Sequence, residues 1–139
     1  MFMLYAMFGL VVFTYVFLLV NFIWRLKAVK SRAVHIKFFR RLDTQDAPEH
    51  ILLGTRHLAN LFELPVLFYV VGVLAVCLQL ESPLMIAFAW LYVGCRVVHA
   101  IIHTTYNNVV HRMLIFQLGS FILLIIWLLL VAAYSKGVA

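Results

Sequence analysis

The sequence predicts an all-α integral membrane protein, a four-transmembrane-helix up-down bundle in a single domain over residues 1–139. Three observations carry that reading. Of 139 residues, 66% are hydrophobic and 12% charged, with a mean hydropathy of +1.07, whereas soluble chains are about half apolar and a quarter charged. Four apolar stretches recur, each near the roughly 20 residues that cross a bilayer as a helix. The cations are gathered in one place: Arg25, Lys27, Lys30, Arg32, Lys37, Arg40 and Arg41 stand between the first two stretches and make up most of the 11 Lys+Arg. The net charge of +6 therefore reads as a topology signal and argues against a nucleic-acid partner.

The first span is read at 2–24. No cation precedes it and its apolar core is longer than that of a signal peptide, so an uncleaved anchor with its N-terminus outside is expected. The basic loop 25–48 is then cytoplasmic, with Ala33–Phe39 mixing apolar and basic residues as a surface-lying helix would. Asp43–Glu49 reads as a turn into the second span, with Pro48 and acids suited to a helix start. That span, 49–79, meets Pro65 just past Glu63, where a kink is expected. Gln79–Pro83 is a tight external turn. The third span, 83–106, is followed by a cytoplasmic loop at 107–112 built on Asn107-Asn108. The fourth span, 113–134, returns the C-terminus outside. The whole reads as a multi-pass protein of the cell inner membrane. Cys77 and Cys95 lie in apolar segments as packing thiols. Cys and His form no tetrahedral set, so no metal is expected. Gly72, Gly94 and Gly119 are expected to allow close helix approach.

Polar residues inside the spans are expensive and mark a site. Arg56, Asn60 and Glu63 fall at i, i+4 and i+7, on one helical stripe. Arg96, His99, His103 and Tyr106 form a second stripe on the third span. Counted inward from the turn at Glu81, Glu63 and Arg96 lie roughly 24 and 20 Å deep at 1.5 Å per residue. They are the expected buried ion pair, with Asn60 near His103 and Arg56 near Tyr106. What is left over, namely Arg56, Asn60, His99, His103, Tyr106 and Arg112 with Arg25 and Lys27 close by, is surplus cation and donor with no acid to match. A small multi-carboxylate ligand entering from the cytoplasm fits such a set.

The run Arg56-x-x-x-Asn60-x-x-Glu63, then Arg96-x-x-His99, then Arg112 after the third span, resembles the MAPEG superfamily, membrane-associated proteins in eicosanoid and glutathione metabolism. Asn60–Tyr69 is similar to bacterial members in particular. The resemblance implies a homotrimer with glutathione, as co-substrate, held between subunits near the cytoplasmic face. It implies that Arg56, Asn60 and Glu63 contact or orient glutathione, that Arg96 pairs with Glu63 and helps hold the peptide, and that His99 lines the site. Arg25, ending the first span before Leu26-Lys27, matches the family's basic residue there and would bind a glutathione carboxylate from a neighbouring subunit, with Lys27 beside it as a further binding candidate. Arg112 would lie by the thiol, with His103 and Tyr106 as the other catalytic candidates. Where many members carry Tyr, this chain has His103. The implied activity is glutathione transferase or peroxidase chemistry on lipophilic electrophiles that arrive through the membrane lipids. The alternative is a non-catalytic lipid- or ligand-binding protein on the same scaffold, which His103 favours. A third reading takes His57, His99 and His103 as haem ligands.

Overall fold

The computed structural model describes residues 2–35, 38–41 and 48–138. Regular structure among them is helical: α1 (Met3–Lys30), α2 (Phe38–Arg41), α3 (Glu49–Leu61), α4 (Pro65–Cys77), α5 (Pro83–Thr104) and α6 (Val109–Val138). α3 and α4 run through a break as one crossing, so four stretches are long and apolar enough to span a membrane. The expected four-helix membrane fold is the one the chain adopts.

The helices outrun the apolar stretches. α1 has 28 residues, about 42 Å of helix at 1.5 Å per residue, against a hydrocarbon layer of about 30 Å. Its last turn carries Lys27 and Lys30, where cations also complement the helix dipole. Arg25, Lys27 and Lys30 therefore stand on the end of a helix longer than the hydrocarbon is thick, and the irregular segment begins after Lys30. Beyond it Phe38 and Phe39 of α2 pack with Trp24 on Ala28, Val34 and Ile51. The turn expected at Asp43–Glu49 falls mostly outside the described residues, as does Lys37.

The break between α3 and α4 stems from Pro65, the first residue of α4. Proline has no N–H and its ring displaces the carbonyl four residues back. The ladder shortens there: Phe62 N–H bonds Ala59 O at 2.9 Å, Val66 N–H bonds Glu63 O at 3.2 Å and Leu67 N–H bonds Leu64 O at 3.1 Å, all three residues apart. Three-residue spacing tightens the turn and rotates the next residues out of α-helical register.

The apolar core fills the half of the bundle nearer Glu81. Met3, Met7 and Leu10 of α1 meet Phe68 and Val71 of α4, Met85 and Tyr92 of α5, and Ile122 and Ile126 of α6. A Cβ on Gly72 would strike Met7 Sδ, and one on Gly119 would sit 3.4 Å from Cys95 Cβ, so both glycines admit a neighbouring helix. Gly94 does not: it faces open space. α5 is the innermost helix, with 50% of its most apolar window buried against 28% in α1 and α6. Leu4, Phe8 and Leu19 of α1, Leu91 of α5 and Leu124 of α6 remain exposed, as a surface facing lipid requires. Met3 N–H donates to Glu81 Oε1 at 2.9 Å, tying the start of α1 to the α4–α5 turn. Ser82 caps α5 through Met85 N–H.

Candidate functional site

At the opposite end from Glu81, the α5–α6 turn is built by two asparagines. Asn107 takes a left-handed backbone, φ 45, which Asn tolerates better than most residues. Asn108 Oδ1 accepts from Val110 N–H at 3.0 Å and His111 N–H at 3.1 Å, an N-cap that starts α6. Asn107 Oδ1 accepts from Arg112 Nη1 at 2.9 Å. The turn that begins the helix thus also aims its first guanidinium.

That guanidinium opens on a pocket of about 520 Å³. α3 contributes Arg56 and Asn60, α5 contributes His99 and His103, and α6 contributes Val109, Arg112, Met113 and Phe116. The described lining holds two guanidinia, an amide and two imidazoles, and no carboxylate. Behind it sits Arg96, only 2% exposed. Its guanidinium lies 4.8 Å over the Tyr92 ring and 5.1 Å over the Phe116 ring, a cation–π clamp. Arg96 Nε and Nη2 are buried without a hydrogen-bond partner. A buried cation in that state costs several kcal/mol by order of magnitude, so the site is poised for a negative charge.

The expected Arg96–Glu63 pair does not form in this chain. Glu63 lies in the break between α3 and α4 and is exposed, because the shortened ladder rotates it off the Arg56–Asn60 stripe. Tyr106 is also apart from the pocket. It is 59% exposed, and its hydroxyl meets His111 Nδ1 at 3.2 Å, since α5 ends at Thr104 and the stripe ends with it. Arg25 is engaged elsewhere, with Nη2 donating to Thr55 Oγ1 at 2.9 Å and its guanidinium 5.3 Å over Phe39. Lys27 is exposed. The structure therefore brings together Arg56, Asn60, His99, His103 and Arg112, backed by Arg96.

The chain matches the family model described as MAPEG family over residues 3–132. The chain belongs to the MAPEG family. A search of curated proteins and a search of solved structures each found no match. Membership makes it a membrane protein of the family related to glutathione and eicosanoid metabolism.

In this MAPEG chain His57, which the sequence suggests only as a haem ligand, packs directly behind the two imidazoles of the pocket lining. His57 is 1% exposed, beside His99 at 3% and His103 at 2%. The ring centroids are 5.4 Å apart for His57–His99, 5.3 Å for His57–His103 and 5.8 Å for His99–His103. Rings packed this closely leave no slot for a porphyrin between them. The signal for His57 lies in the buried face of α3, where it continues Gly54 and precedes Leu61 at helical spacing. α1 closes this face: Asn21 Nδ2 donates to Gly54 O at 3.3 Å, and Phe17 sets its ring edge-on to His57 at 4.6 Å. A second depression, about 330 Å³, lies between α1 and the helix break, among Tyr15, Leu18, Phe62 and Tyr69, and has no charged lining.

Proposed function

We propose that the pocket between α3, α5 and α6 holds glutathione, and that the protein uses it as a transferase or peroxidase toward lipophilic electrophiles. The observation that carries this reading is a cavity lined by Arg56, Arg112, Asn60, His99 and His103 with no carboxylate among its described lining. Glutathione brings carboxylates for the guanidinia and amides for the side-chain donors. Arg112 stands by the thiol, where a guanidinium favours thiolate over the free-thiol pKa near 8.5. Arg96 supplies positive potential from behind Phe116. Arg25, Lys27 and Glu63, which face away from this pocket within one subunit, act in a homotrimer on a neighbour's guest. The basic end of α1 supports a cytoplasmic side for the pocket, in a cell inner membrane, with the second substrate entering from the lipid.

Calorimetric titration with glutathione, followed by turnover of a generic electrophile, tests the reading. Binding that is lost in Arg56→Ala, and a thiolate signal that falls further than affinity in Arg112→Ala, are the expected results. No binding heat in wild type refutes it. The second reading, a ligand-binding protein without chemistry, has one observation in its favour: the phenol of Tyr106 lies outside the pocket and an imidazole occupies the place of the family's Tyr. Binding without turnover selects it.

A further inference from the structure

Three imidazoles on two helices cluster beside the pocket, His99 and His103 in its lining and His57 packed behind them, and most of their nitrogens are idle. Both ring nitrogens of His57, Nδ1 of His99 and Nδ1 of His103 are buried with no hydrogen-bond partner. Buried polar atoms are nearly always paired, so four orphans in one cluster call for an explanation. Simple packing is a poor one, because Phe or Leu would fill the same space without desolvated nitrogens.

We propose that His103 is the base that takes the thiol proton of bound glutathione, with His57 as the positioning residue that fixes its tautomer. The inference rests on the glutathione reading of the pocket and deepens it. His99 and His103 both line the pocket, and the burial of Nδ1 leaves Nε2 of His103 as the nitrogen a guest can meet. To accept a proton at Nε2 the ring must carry its own hydrogen on Nδ1. That N–H is buried and needs an acceptor. His57, whose ring centroid is 5.3 Å away and whose nitrogens are both open, is placed to supply one after a small ring rotation. Phe17, edge-on to His57 at 4.6 Å, holds that ring from the α1 side. A base oriented by a third group through its other nitrogen is the general logic of activated nucleophiles.

In the step itself the S–H bond breaks, its electron pair stays on sulfur, and the proton moves to His103 Nε2. The product is a thiolate–imidazolium pair beside Arg112, and the proton passes to water when the product leaves. The charged and titratable groups facing His103 are His57 and Arg56 from α3, His99 from α5 and Arg112 from α6; Arg96 of α5 faces its neighbours His57 and His99, and Phe17 of α1 packs on His57. With cations on each of these helices, the negative charge that stabilises the imidazolium is the guest's own.

The test is the pH dependence of thiolate absorbance for glutathione bound to the purified protein, with calorimetry alongside. His103→Gln keeps a donor of similar reach and cannot take the proton. It should lower the thiolate fraction at neutral pH and the turnover rate by about a hundredfold, while glutathione affinity changes little. His57→Phe preserves ring packing on Phe17 and should move the pH profile in the same direction by a smaller amount. His50→Gln, on an exposed imidazole outside the cluster, should leave the profile in place. Normal binding with an unmoved profile in both His103→Gln and His57→Phe overturns the relay and leaves the binding site standing. Absence of binding in wild type overturns both. Should His103→Gln fail to fold, the profile of His57→Phe decides.

Discussion

Arg96→Met is the substitution in which stability and binding should move in opposite directions. Met keeps much of the length and volume of the stem, so packing against Tyr92 and Phe116 survives. Two cation–π contacts, at 4.8 and 5.1 Å, are lost, at about 0.5–2 kcal/mol each. Against that, the desolvation burden of a guanidinium with two orphaned nitrogens disappears, and it amounts to several kcal/mol by order of magnitude. The ligand-free variant should therefore be as stable as wild type or more stable by about 1–3 kcal/mol, as when buried charges elsewhere give way to apolar side chains. Glutathione should act the other way. At a hundredfold excess over Kd it adds about 2.7 kcal/mol to the wild type. Loss of the positive charge buried behind Phe116 removes part of that gain. Thermal unfolding in detergent, with and without glutathione, reads both effects. A ligand-free Arg96→Met protein that melts well below wild type would refute the reasoning, because it would show the guanidinium already paired with an acid.

Glu63→Gln should leave unfolding within about 0.5 kcal/mol of wild type, since the carboxylate is exposed in the helix break, and should weaken the proposed homotrimer in native mass spectrometry; marked destabilisation would restore a pair inside the chain. Asn107→Ala frees Arg112 from its 2.9 Å restraint and should reproduce part of the thiolate loss of Arg112→Ala, whose glutathione affinity falls less than its thiolate absorbance; unchanged absorbance in Arg112→Ala would remove that residue from the thiol. Asn108→Ala deletes the α6 cap and should cost about 1 kcal/mol in thermal unfolding. Gly54→Ala places a Cβ 3.1 Å from Asn21 Oδ1 and 3.3 Å from Trp24 and should cost about 1–3 kcal/mol, whereas Gly94→Ala, facing open space, should be silent; equal melting of the two would contradict the α1–α3 contact.

Hydropathy makes the four spans legible because lipid imposes a long apolar run on each crossing. It does not make their ends legible, since α1 and α6 continue past the hydrocarbon on residues whose polarity says nothing against helix. The two polar stripes are legible as far as α-helical spacing holds. Arg56 and Asn60 on α3, with His99 and His103 on α5, do converge on one pocket. The stripes fail where the backbone leaves that spacing. Pro65 signals a kink, but its consequence lies in the residues before it: once the ladder shortens, Glu63 no longer shares a face with Asn60. Tyr106 fails in the same way, just past the end of α5.

Both failures alter the chemistry in one direction. A continuous second helix would have given Arg96 its own carboxylate and left a modest excess of cations. The broken one turns that carboxylate outward, so Arg96 stays buried and unpaired behind a lining that already carries Arg56 and Arg112. The acid withheld from this guanidinium is exposed on the outside of the break. The pocket's appetite for an anion is therefore a product of the proline as much as of the arginines, and straightening the break should weaken glutathione binding even with every lining residue intact. Pro65→Ala, which restores the missing N–H, is the direct trial: retained affinity would mean that the charge balance of the pocket does not depend on where Glu63 points.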